Sequence, residues 1–173
     1  MKRLHIVGGK NHGKTTLIVE LVKELNGRGQ TVGTIKHTHH QHELDVPGKD
    51  SYRHRTAGAK TVGILSPTMT AIFMPGDNTS PTGEDRYSLL EPMFEQCRLV
   101  LVEGDSRATA PKIEVWRSEL GTLPLAASDQ SILAIVTDGE PPLATPIMHR
   151  SNLAALSDWI LDKMIEAPSQ HCA

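Results

Sequence analysis

Aromatic side chains are scarce in this sequence, with two Trp, two Tyr and two Phe among 173 residues, so aliphatic side chains must fill the core. Cysteine is scarcer still. Cys97 and Cys172 lie far apart without CxxC spacing, which argues against a disulfide framework or a zinc site and fits a reducing, cytoplasmic setting. Long apolar runs are missing as well. Leu4 to Val7 is too short for a signal-peptide core, and no stretch approaches transmembrane length, so no membrane span is expected. There is no basic run and no interleaving of basic with aromatic residues, the pattern a nucleic-acid surface would show.

What charge there is, is unevenly placed. Residues 1–60 hold 11 Lys+Arg against 5 Asp+Glu, and the remainder holds 7 against 15, beneath a formal net charge of −2. The N-terminal third therefore faces anions, and nucleotide phosphate accounts for this more simply than a polynucleotide does. The length suits one domain over residues 1–173.

Along the chain, Leu4-His5-Ile6-Val7 runs into Gly8-Gly9, the form of a buried strand (residues 3–7) entering a loop. Leu17, Ile18, Leu21, Val22 and Leu25 then share one face of a helix that Gly27 and Gly29 end. Thr31 to Ile35 supplies a second strand and completes a βαβ unit. Residues 36–60 read as a functional loop containing a short helix from Asp50 to Ala57. Val62–Leu65 and Thr70–Met74, separated by Ser66-Pro67-Thr68-Met69, predict a β-hairpin at a sheet edge. A short helix is expected over Leu89–Cys97, and Leu99 to Val102 reads as a central parallel strand buried on both faces. Further strands are expected at Lys112–Trp116 and Ile132–Val136, with a last helix capped by Ser151 or Asn152. The fold class is α/β of the P-loop NTPase type: a mostly parallel sheet flanked by helices, with an inserted β-hairpin.

The segment Gly8-Gly9-Lys10-Asn11-His12-Gly13-Lys14-Thr15 satisfies GxxxxGK[ST], the Walker A pattern, between a strand and a helix. Glycines let the backbone curl so that N–H groups converge on phosphate, and the helix N-terminus adds roughly half a positive charge. Lys14 should reach the β- and γ-phosphates, Thr15 should ligate Mg²⁺ through its hydroxyl, and Thr16 should touch the α-phosphate. His12 fills a variable position of the loop.

Glu103, at the tip of the most apolar strand, takes the Walker B position as a catalytic or metal-holding carboxylate. Asp45 is a second candidate for that chemistry, or else an exposed loop charge. His37, His39, His40 and His42 suit zinc or nickel, or line the phosphate cleft beside Lys36. Arg53 and Arg55 either neutralise phosphate or solvate a helix face.

The blocks Ile35-Lys36-His37-Thr38-His39-His40, Gly48-Lys49-Asp50-Ser51-Tyr52-Arg53-His54, Val102-Glu103-Gly104 and Pro111-Lys112-Ile113-Glu114-Val115, together with the Walker A segment, resemble the MobB family of molybdenum-cofactor biosynthesis. The resemblance spans most of residues 4–117. It implies a GTP-binding accessory protein with weak GTPase activity at most, working with Mg²⁺. It further implies a homodimer acting beside the nucleotidyltransferase MobA, which attaches GMP to molybdopterin, and possible contact with molybdopterin-dependent apoenzymes.

By position, Gly8, Gly13, Lys14, Thr15 and Thr16 would bind phosphate and Mg²⁺, with Glu103 as the Walker B carboxylate. Asp45 and the histidine block would face the nucleotide, and the hairpin Val62–Met74 would serve the dimer. Two departures stand out. Asp105-Ser106 replace the family's aromatic and lysine, and the guanine-reading NKxD is absent, leaving Asp138, after a late strand, to accept from guanine N1 and N2. A nickel or zinc metallochaperone GTPase, a small-molecule P-loop kinase using Arg107 or Arg117, and a module that binds nucleotide without turnover remain alternatives.

Overall fold

A computed structural model describes residues 1–38, 43–76 and 84–166. In chain order its elements are β1 (Arg3–Val7), α1 (Lys14–Gly27), β2 (Val32–Lys36), α2 (Asp50–Thr56), β3 (Val62–Leu65) and β4 (Thr70–Phe73). Then follow α3 (Glu84–Leu90), β5 (Leu99–Glu103), β6 (Lys112–Val115), β7 (Ile132–Thr137), β8 (Ile147–His149) and α4 (Leu153–Leu161). Backbone contacts group the chain into two compact units, Met1–Thr38 with Tyr87–Ala173, and His39–Arg86.

The first unit is built on a six-stranded sheet of order β2-β5-β1-β6-β7-β8, parallel at every pairing. Successive side chains of a strand point to opposite faces, and the core follows that rule. Leu4, Ile6, Leu99 and Leu101 face α1 and α4, meeting Leu17, Leu21, Leu25, Leu156 and Ile160. Val100 and Val102 face the other way and pack with Tyr87 and Phe94. Val7, Trp116, Ala126, Ile132 and Ile135 make a third cluster. Leu99 to Val102 are each 0% exposed, as a central parallel strand requires, and each such side chain contributes roughly 1.5–3 kcal/mol of burial.

α1 ends where Arg28 and Gly29 turn back onto the carbonyls of Glu24 and Asn26. Arg28 then ties α1 to α4 by reaching both Glu24 and Asp158. Asn152 caps α4, its side chain accepting from the Ala155 N–H at 3.1 Å.

Two expectations are corrected. The hairpin β3-β4 forms its own two-stranded antiparallel sheet in the second unit, whereas the edges of the large sheet are β2 and β8. Antiparallel neighbours satisfy one another locally, so this pair needs no parallel edge to join. The helix expected over Leu89–Cys97 instead lies at Glu84–Leu90 and tightens into a 3₁₀ turn over Glu91–Phe94. Pro92, at the start of that turn, lacks the N–H an α-helix would use there. β8, only three residues long and preceded by Pro146, carries too little pattern to be read in advance.

In the second unit α2 packs against β3. Arg55 reaches the Glu43 carboxylate at 2.6 Å, holding it below the usual carboxylate range. Ile64, Leu65, Met69 and Ile72 of the hairpin are exposed.

Candidate functional site

Parallel strands deliver their carboxyl ends to one side of the sheet, and ligands collect there. β1 ends in the Walker A loop and β5 ends in Glu103, and the two strands are direct neighbours, with Ile6 opposite Glu103. The loop makes a close approach to the strand on its other flank. Gly8 has φ 137°, and a Cβ there would lie 2.3 Å from the Val115 carbonyl oxygen. Gly13, at φ 97°, starts α1 without a side-chain cap and with no acidic residue in the first turn. The first N–H groups of α1 are thus left to face an anion.

Glu103, Thr15 and Lys14 converge on one cleft of about 420 Å³, which Lys10, Thr16 and Arg117 also line. Thr15 Oγ1 donates to Glu103 Oε1 at 2.8 Å, and Lys36 Nζ stands 3.8 Å from the same oxygen. Lys14 Nζ donates to the carbonyls of Gly8 and Gly9 at 2.9 and 2.7 Å. Burial pushes the Lys14 ammonium below its ordinary value, Glu103 pulls the other way, and Lys36 adds to the lowering. A hydroxyl paired with a carboxylate is a hard-oxygen donor set, the kind that suits Mg²⁺ and not a soft metal.

His12 does more than fill a position. It is 2% exposed, and its Nδ1 accepts the Arg117 backbone N–H at 3.0 Å. Nδ1 must then be unprotonated, which leaves Nε2–H to donate to Thr122 Oγ1, 3.2 Å away. Burial, then the charges of Lys14 and Arg117, lower its pKa, so the ring is neutral near pH 7. His12 thereby fastens the phosphate loop to the segment after β6. That segment is also held by Trp116 Nε1, which donates to the Thr122 carbonyl at 2.9 Å, and by Glu114. The Glu114 carboxylate, 1% exposed, accepts the N–H groups of Leu125 and Ala126 at 2.7 and 2.9 Å. Burial raises the Glu114 pKa, and those two bonds oppose the rise. The role of His12 could not be read from the sequence, because nothing there says that β6 lies beside β1.

A second cleft of about 380 Å³ shares Arg117 with the first and is lined by Trp116, Thr137 and Asp138. Asp138 Oδ1 accepts from both the N–H and the hydroxyl of Ser151, each at 2.9 Å, and these bonds hold its carboxyl below the usual range.

The structure therefore brings Gly8 to Thr16, Glu103 and Asp138 to one end of the large sheet. Asp45 belongs to the second unit. It is 7% exposed, one oxygen accepts from the Val46 N–H and the Ser51 hydroxyl at 2.8 and 2.9 Å, and the other is buried with no hydrogen bond among the described residues. His37 donates its backbone N–H to the Glu103 carbonyl at 3.0 Å and stacks on Tyr87. His39, His40, His42 and Cys172 lie outside the described residues. Among the described residues no three His, Cys, Asp or Glu side chains gather as a metal site would require. Asp105, one of the two departures noted in the sequence, has φ 58° and accepts from the Tyr87 hydroxyl at 2.8 Å. Its carboxylate is thus spent on Tyr87 of α3.

A parallel sheet with a GxxxxGKT loop after its central strand, and a carboxylate ending the adjacent strand, defines a fold of the P-loop NTPase type. The family model of Molybdopterin guanine dinucleotide synthesis protein B matches residues 3–138. A molybdopterin-guanine dinucleotide biosynthesis adapter protein of Haemophilus influenzae is 33% identical over 159 residues, 91% of this chain and 86% of its own length. One of the same description from Escherichia coli is 32% identical over 157 residues, 88% and 87% of the two chains. A crystal structure of molybdopterin-guanine biosynthesis protein B superposes with a TM-score of 0.71 at 27% identity, covering 93% of this chain and 97% of the other. The MobB homologue from Bacillus stearothermophilus gives 0.65 at 26%, covering 94% and 97%. The chain belongs to the MobB family. No helix among the described residues is long and apolar enough to cross a membrane.

Proposed function

We propose that the protein is a GTP- and Mg²⁺-binding adapter in molybdopterin-guanine dinucleotide biosynthesis, a weak GTPase at most, serving a MobA-type nucleotidyltransferase that attaches GMP to molybdopterin. The observation that carries this reading is the pair of clefts that share Arg117 as a lining residue. One offers Lys14, Thr15, Glu103 and the N-terminus of α1, and the other offers Asp138.

In this reading the N–H groups of the loop from Gly8 to Gly13, with Lys14 and Thr16, hold the phosphates. Lys10, Asn11 and His12 complete the loop that aims those groups. Thr15 and Glu103 hold Mg²⁺, which when bound supplies charge neutralisation to the phosphates. Glu103, beside Thr15, orients the water nearest the phosphates. Asp138 reads guanine: nothing among the described residues donates to its second carboxylate oxygen, and guanine N1–H and N2–H₂ are donors that adenine does not present together. Asp45, in the second unit, is a further metal-facing carboxylate in this reading, supported by an oxygen that is buried and without a hydrogen bond among the described residues. A buried carboxylate oxygen left without a partner costs about 1–3 kcal/mol, and a cation removes that cost. The protein acts as a homodimer whose second copy covers Ile64, Leu65, Met69 and Ile72, apolar side chains exposed on the hairpin.

Titration with fluorescent GTP and ATP analogues, with and without Mg²⁺, tests the reading, alongside Lys14→Ala and Asp138→Ala. The expected result is Mg²⁺-dependent binding that prefers GTP, vanishes in Lys14→Ala, and loses its base preference in Asp138→Ala. A preference for ATP sinks the guanine assignment. Binding unaffected by Lys14→Ala sinks the site itself.

A further inference from the structure

We infer that Arg117 is a nucleotide-contacting residue, placed where the two clefts meet, whose guanidinium takes the α-phosphate end of the nucleotide. The inference rests on the nucleotide reading of the two clefts.

Arg117 is the residue that both clefts share. Its side chain lies over the phosphate loop: a Cβ added at Gly13 would sit 3.0 Å from Arg117 Nη2. It is exposed, and no carboxylate pairs with it among the described residues. By contrast, Arg28, Arg55 and Arg150 are each paired. A guanidinium is always charged and offers five donors in a fork suited to phosphate oxygens.

The side of the cleft decides which phosphate it meets. Lys14, Thr15 and Glu103 define the β,γ end, since the lysine and hydroxyl of a P-loop serve those groups and the metal. Asp138 lies in the other cleft, at the base end. A residue between them stands opposite the linkage joining base and sugar to the β-phosphate.

The backbone that carries Arg117 is fixed before any ligand arrives. Its N–H is bonded to buried His12 of the phosphate loop, and Glu114 pins the far end of the same segment through two further N–H groups. A guanidinium rooted in this way loses less freedom on binding than one on a loose loop. Lys10 and Lys14 line the same cleft with Glu103, so the local charge favours an anion.

The test measures GTP and GDP affinities with Mg²⁺ for wild type, Arg117→Ala, Arg117→Lys and Lys14→Ala, with thermal unfolding as the folding control. Loss of one charge-assisted contact to phosphate predicts a fall of about 10- to 100-fold for Arg117→Ala. GTP and GDP should suffer by the same factor, since both carry the α-phosphate, and Arg117→Lys should recover part of the loss. The unfolding midpoint should hold, because the side chain is exposed. Equal affinities in wild type and Arg117→Ala would overturn the inference while leaving the nucleotide site standing. A loss confined to GTP would also overturn it, moving the arginine to the γ-phosphate. Wild type that binds neither nucleotide would remove the inference together with the reading beneath it.

Discussion

Replacing Gly8 with alanine isolates the closest contact in the site. The glycine sits at φ 137°, and the new Cβ would fall 2.3 Å from the Val115 carbonyl oxygen. Ordinary contact begins near 3.5 Å, so about 1 Å must be found. β6 has little to give, because it is hydrogen-bonded to β1 on one side and to β7 on the other. An alanine held at this φ costs about 1–3 kcal/mol in backbone strain, and overpacking adds about 1–3 kcal/mol. Together these make about 2–6 kcal/mol, a large share of the roughly 5–15 kcal/mol that holds a domain folded.

Gly29→Ala is the matched control. Its φ is 75°, yet nothing lies within 4 Å of the added Cβ, so only the left-handed cost of about 1–2 kcal/mol applies. Urea unfolding of both variants, analysed at a common m-value, should show Gly8→Ala the less stable by at least about 1 kcal/mol. Equal losses would refute the claim that contact with Val115 is what demands glycine.

Two further outcomes follow from the geometry. His12 has a folded-state pKa below about 6.5, lowered first by burial. Its contribution to stability is therefore present above that value and is lost as pH falls through the folded pKa, because the unfolded chain takes up a proton that the buried ring refuses. His12→Asn keeps an acceptor for the Arg117 N–H without titrating, so the stability difference between wild type and variant should shift toward the variant as pH drops below about 6.5. A pH-independent difference would contradict the neutral Nδ1 acceptor. On the hairpin, Leu65 is 84% exposed, and Leu65→Asp removes roughly 1.5–3 kcal/mol of burial if a second copy covers it. Light scattering across a dilution series should then show at least a tenfold weaker dimer, and an unchanged dimer would place the interface elsewhere.

The phosphate loop, the strand ending in Glu103 and the helical face of Leu17, Ile18, Leu21 and Leu25 were legible because each is a local pattern: a fixed spacing, an apolar run, a 3.6-residue period. The block PGKDSYRHR was legible as a family resemblance while its geometry was not, since Asp45 is held by Ser51, six residues on. What stayed hidden depends on which strands are neighbours. His12 and Arg117 are 105 residues apart and meet only because β6 lies beside β1. β8 went unread because three residues beside a proline hold no periodicity, and α3 was displaced because Pro92 ends it sooner than apolar spacing suggests.

The sheet order also dictates when the molecule can fold during its synthesis. β2 pairs with β5 alone, and β1 pairs with β5 and β6, so Arg3 waits for Val100 and His5 for Lys112. At about 5–20 residues per second on the ribosome, the apolar strand that leads into the phosphate loop is without its ladder for about 5–20 seconds after it is made. Over that interval the local hairpin β3-β4 is, among the described residues, the one sheet that can close. This places the assembly of the phosphate site late, at the point where residues beyond 112 have emerged, and makes the nascent N-terminal third the segment most in need of shielding from its neighbours.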